Sequence, residues 1–154
     1  MTTATLQSDL GNIVVDEVLP HDAALIWKAL TDGALISRWM MPPAGFAPEV
    51  GTAFTFKTTP AGAWDGTIHC KVLEVVRNRR IAYEWKGGDE ANAGYGSKLD
   101  TIVSFTLTPV DGGTRVQMVH SGFVLPKNQV ARRNMGEGWS KVITRLGEAV
   151  AKDA

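Results

Sequence analysis

Cysteine is nearly absent from this chain, and its charges cancel. Cys70 stands alone, which excludes an intrachain disulfide and fits a reducing compartment. Sixteen Lys and Arg offset sixteen Asp and Glu, so the basic excess usual in nucleic-acid-binding domains is missing. No run approaches the ~20 apolar residues of a membrane-spanning helix. Met1–Asn12 holds no continuous apolar segment of the kind a secretory signal needs. His21, His69 and His120 are scattered, with neither HExxH nor CxxC spacing, so no metal and no cofactor is expected. Gly94-Tyr95-Gly96-Ser97-Lys98 lacks the spacing of a phosphate cradle, and no helix follows it. These absences leave a soluble, cytoplasmic protein with no nucleic-acid and no membrane partner.

What is present reads as a single domain. A chain of 154 residues, 44% of them apolar, is long enough to bury a core. Residues 1–12 read as a mobile leader and 13–152 as the domain. Ile13 to Leu19 is β-branched and apolar, a first strand ended by Pro20. Asp22 and Asp32 stand where N-caps of two short helices belong, and Pro42-Pro43 stops the second after Trp39.

A meander of strands follows, expected at 52–58, 66–76, 80–86, 101–108 and 114–120, with turn residues between them. Ile81, Tyr83 and Trp85 alternate with Ala82, Glu84 and Lys86, while Val103, Phe105 and Leu107 alternate with serine and threonine. A sheet with one apolar face needs a cover. The segment 126–152 supplies it, with Met135, Trp139, Val142, Leu146 and Val150 forming a stripe. Gly136 and Gly138 interrupt that stripe and predict a kink, a close approach, or a helix beginning only near Glu137. Gly87–Asp100 is longer than an ordinary connection and reads as a floppy hairpin tip or a lid.

In order along the chain, Trp27-Lys28-Ala29-Leu30-Thr31-Asp32 and Trp39 precede Val72-Leu73-Glu74-Val75 and Arg80-Ile81-Ala82-Tyr83-Glu84-Trp85. Gly112-Gly113-Thr114-Arg115-Val116, His120-Ser121-Gly122-Phe123 and Gly138-Trp139 complete the series. Together they resemble the START-like, helix-grip (SRPBCC) superfamily, in the branch of the activator of Hsp90 ATPase homologue C-terminal domain. The resemblance implies an α+β fold: a curved antiparallel sheet gripping a long C-terminal helix, with two short helices after the first strand. It also implies a pocket between sheet and helix. Relatives include carriers of hydrophobic molecules, hormone receptors, polyketide cyclases and a co-chaperone module, and fold alone does not choose among them. With twelve residues ahead of the first strand, no counterpart of the co-chaperone's separate chaperone-binding domain is expected. Family analogy alone allows a homodimer.

The aromatic count suits a pocket for a small hydrophobic molecule. Trp39, Phe54, Phe56, Trp64, Trp85, Phe105 and Trp139 are its expected walls, with Val103, Met118 and Met135 as apolar filling. Tyr83 and His120 are the expected polar contacts, and Met40-Met41 is placed at the mouth. Each of these residues has a plainer role in core packing. His120 faces inward with Val116 and Met118, where it is either a general base or a neutral core histidine. The core reading is favoured, because no partner for a base is visible in the sequence. Cys70 faces inward and is expected to be inert. Non-catalytic ligand binding is the expectation, ahead of a cyclase- or hydrolase-like enzyme using His120 and of a chaperone-associated or stress-response interaction module.

Overall fold

The computed structural model describes residues 12–92, 96–124 and 128–153. The expected leader falls almost wholly outside that range. Strand β1 (Ile13–Leu19) ends at Pro20, where His21 N–H turns back onto the Leu19 carbonyl at 2.8 Å. Helix α1 (Ala23–Thr31) begins after Asp22, but the Asp22 side chain makes no capping bond. Its backbone carbonyl takes the Leu25 and Ile26 N–H groups instead, at 3.1 and 3.2 Å. Asp32 does cap helix α2 (Gly33–Trp39), accepting from Ala34 N–H at 2.9 Å and Leu35 N–H at 3.3 Å. The Trp39 indole N–H donates to the Ala29 carbonyl at 2.9 Å and so fastens α2 to α1.

The remaining strands are β2 (Ala53–Lys57), β3 (Thr67–Val76), β4 (Arg80–Gly87), β5 (Leu99–Val110) and β6 (Gly113–Ser121). With β1 they form one six-stranded sheet in the order β1-β6-β5-β4-β3-β2, every neighbour antiparallel. Asn78 adopts φ 63° in the β3–β4 turn, a left-handed conformation that asparagine tolerates better than most side chains. A bulge between Val72 and Glu74 shifts the β3–β4 register, so the inward run Ile68, Cys70, Val72 resumes at half-buried Val75 and leaves Glu74 exposed.

Helix α3 (Gln129–Asp153) covers the concave face and packs on β1, α1 and α2. Its buried stripe is Trp139, Ile143, Leu146 and Val150, a spacing of four, three and four. The expected stripe was shifted: Val142 and Met135 are only half-buried, and Ile143 is the residue at full depth. Truncating such a core isoleucine to alanine costs about 2–5 kcal/mol. The two glycines neither delay nor break α3, which runs unbroken past both. Nothing lies within 4 Å of a side-chain carbon placed at either, so close approach is not their reason.

Candidate functional site

Near the first turns of α3 the helix and the sheet part, leaving a cavity of about 280 Å³. The far end of β4, the connection before β3 and the connection before β5 close its sides. Trp64, Trp85, Ile68, Leu99 and Met135 give it apolar walls, with Met41 also in the lining. Thr58, Ser97 and Asn134 are its side-chain polar groups, and no described lining residue carries a charge. Four wall positions, Gly87, Gly88, Gly96 and Gly138, have no side chain. At Gly88 the backbone demands this: φ is +77°, and a Cβ would sit 2.1 Å from the Ser97 carbonyl oxygen. At Gly138 nothing forbids a side chain, so its absence simply leaves the volume open.

Two asparagines hold the walls together. Asn92 Nδ2 donates to the Ala61 carbonyl at 2.6 Å and to the Gly96 carbonyl at 3.2 Å, joining the connections that carry Trp64 and Ser97. Asn128, 2% exposed, donates to Ser97 Oγ and to the Lys98 carbonyl at 3.0 Å each, and accepts from Val124 N–H at 2.9 Å. It ties the connection before β5 to the start of α3. The described parts of Gly87–Asp100 are therefore cross-linked to their neighbours rather than a free hairpin tip; residues 93–95 lie outside the described range.

A larger cleft of about 540 Å³ lies against the same wall, sharing Trp64, Gly87, Gly88 and Leu99. It is open to solvent, and both of its lysines are ion-paired. Lys98 pairs with Glu90 at 3.2 Å and Lys86 with Asp100 at 3.7 Å. The smaller, apolar cavity is the better-formed site.

Of the residues expected from sequence, Trp64, Trp85 and Met135 line this cavity, and Met41 stands with them. The others do not reach it. Trp39, Phe54, Phe56, Tyr83, Val103, Phe105, Met118, His120 and Trp139 are buried in the core beyond its walls. Their rings pack on each other: Trp39 meets Phe105 edge-on at 5.9 Å, and Phe54 meets Tyr83 at 5.2 Å. Burial also pushes the Tyr83 phenol well above its ordinary pKa. The aromatic excess fills the sheet–helix interior, and only its edge opens into a pocket.

His120 is the clearest case. Its ring is fully buried, and the Trp139 indole N–H donates to Nδ1 at 3.0 Å. Nε2 stands 2.7 Å from Thr101 Oγ1, which itself donates to the Trp85 carbonyl at 2.7 Å. The Thr101 proton is committed to that carbonyl, so Nε2 carries the imidazole proton and donates it to Thr101. Both ring nitrogens are in use. Desolvation lowers the His120 pKa to about 3, which keeps it neutral. It is a core histidine holding β5, β6 and α3 together, and the enzyme reading loses its base. Cys70 is equally unsuited to chemistry, since burial pushes its thiol up to about 12. Among the described residues no group of His, Cys, Asp and Glu is arranged to hold a metal.

Sequence reading missed Thr101, Ser97, Asn92 and Asn128. The density of glycine at 87, 88 and 96 marked the region, but only the fold brings it against α3.

A curved sheet gripping a long helix, with two short helices after β1, now has a counterpart among known proteins. The family model of Activator of Hsp90 ATPase homolog 1-like proteins matches residues 20–151. The chain belongs to that family. No curated protein matches it. Among solved structures, this family member is similar to protein MLL2253 from Mesorhizobium loti, with 31% identity and a TM-score of 0.79. That match covers 93% of this chain and 98% of the other. CalU16 from Micromonospora echinospora shares the fold at 20% identity and TM-score 0.69, covering 92% and 77%. The Aha1 dimer from Colwellia psychrerythraea shares it at 22% identity and TM-score 0.70, covering 90% and 95%. No helix among the described residues of this family member is long and apolar enough to cross a membrane.

Proposed function

We propose that this protein binds a small hydrophobic or aromatic molecule, without chemistry, in the cavity between sheet and α3. The observation that carries the reading is an uncharged pocket walled by Trp64 and Trp85, whose volume α3 leaves open at Gly138. A cavity of about 280 Å³ lies just below the ~300–1,000 Å³ typical of small-molecule sites, which suits a compact ligand. The adaptable thioethers of Met41 and Met135 let one pocket fit related shapes. An enzyme working through His120 is disfavoured by the closed hydrogen-bond chain around that ring. The pocket is built within one chain, so the reading needs no second copy, although the Colwellia neighbour is a dimer.

The test is titration with N-phenyl-1-naphthylamine, an uncharged fluorophore that brightens in apolar surroundings. One saturable site per chain is expected in the native protein, and none in Gly138→Leu, whose side chain projects into the cavity. Absence of saturable binding to the native protein overturns the reading.

A further inference from the structure

We infer that the pocket's occupant is a compact, flat, uncharged molecule carrying a carbonyl-type hydrogen-bond acceptor. This rests on the pocket being a ligand site and adds what the ligand must present. Trp85 is a wall residue, 3% exposed, and its indole N–H is buried with no acceptor among the described residues. Buried donors are nearly always paired, and an unmet one is costly.

Ser97 adds a second donor. It lines the same pocket and is 1% exposed. The orientation of the Asn128 amide is fixed by two backbone groups: Oδ1 must accept from Val124 N–H, and Nδ2 must donate to the Lys98 carbonyl. The Nδ2 group therefore also donates to Ser97 Oγ, at 3.0 Å. Ser97 accepts in that bond, and its own O–H has no acceptor among the described residues. The wall thus offers two buried donors lacking acceptors.

A hydrogen-bond acceptor on the ligand answers either donor, and a pure hydrocarbon answers neither. A charged group is disfavoured, because no lining residue would pair with it and its desolvation would be uncompensated. The walls of Trp64 and Trp85 suit a flat ring, and the volume holds two fused rings comfortably. The Trp85 N–H has almost no open surface of its own. The wall must shift slightly for an acceptor to reach it, and Met41 and Met135 make the same wall adaptable.

The experiment compares 1-tetralone with tetralin, which differ only in one carbonyl, by calorimetry on the native protein, Trp85→Phe and Ser97→Ala. At least tenfold tighter binding of the ketone is expected in the native protein. The ratio should fall in Ser97→Ala and approach one in Trp85→Phe. Infrared spectra of carbonyl-labelled 1-tetralone give a second readout that needs no variant: the bound stretch should lie below its position in hexane. Equal binding of the two ligands, or an unshifted stretch, overturns the acceptor inference while leaving the pocket reading intact. Failure of both ligands to bind overturns the pocket reading, and this one with it.

Discussion

The Trp139 indole N–H donates to His120 Nδ1 at 3.0 Å, and this one bond assigns the imidazole proton to Nε2. From there the chain runs through Thr101 Oγ1 to the Trp85 carbonyl. It links helix α3 to three neighbouring strands at the point where the core gives way to the pocket. A protonated His120 would put a donor against the Trp139 donor.

Acid should therefore weaken the fold earlier than carboxylate titration alone requires. The unfolded histidine titrates near 6.5 and the folded one near 3, so between those values the unfolded chain binds more protons. Stability is complete above pH 6.5 and declines as pH falls, approaching tenfold in the folding equilibrium per unit until about pH 3. Urea unfolding from pH 7 to 4 should show this slope, and His120→Gln should lose it. A slope unchanged in that variant would assign the effect to other groups.

Thr101→Val should be costly for its size. It keeps the shape but strands the His120 Nε2–H and the Trp85 carbonyl, a loss of about 1–3 kcal/mol. Denaturant midpoints of Thr101→Val and Thr101→Ser separate the hydroxyl's role from that of the methyl.

The helix glycines should respond alike in stability and differently in binding. Nothing lies within 4 Å of an added Cβ at Gly136 or Gly138, so alanine at either should stabilise by up to about 1 kcal/mol. Only Gly138 lines the cavity, so only there should larger side chains also reduce dye binding. Thermal melts and titrations of the two series make the comparison.

Gly88 and Gly112 have nearly the same backbone, φ +77° and +83°, yet alanine should act very differently at the two. At Gly112 the added carbon meets nothing, and the cost is that of the left-handed conformation, about 1–2 kcal/mol. At Gly88 it collides with the Ser97 carbonyl at 2.1 Å, so the connection must move and the pocket wall with it. Equal melting temperatures for the two variants would contradict this.

Much of the fold was readable from the residues, because its elements carry strong local signals. Alternation in Ile81–Tyr83–Trp85 and Val103–Phe105–Leu107 marked the inward face, and all six residues are buried there. Asp32 announced a cap that exists; Asp22 announced one whose side-chain bond does not form. The stripe on α3 was misjudged because Ile143 and Val142 are equally apolar neighbours, and only packing against the sheet decides between them.

The pocket was harder to read, for a different reason. Burial and apolarity are common to core residues and wall residues, so composition could not separate Trp39 from Trp85. The wall depends on where side chains are missing and on how Asn92 and Asn128 join distant connections. Neither is a periodic signal.

The pairing of β1 with β6 governs how the chain must come together. Ile13 lies opposite His120, so β1, the first strand among the described residues, pairs with a strand near the far end of the sequence. Until β6 exists, β1 has no partner strand among the described residues. Closing so long a loop before any contact rewards it makes folding slow. During translation, β1, α1 and α2 must wait with their apolar faces uncovered while the meander emerges, which is when this chain is most open to misassociation.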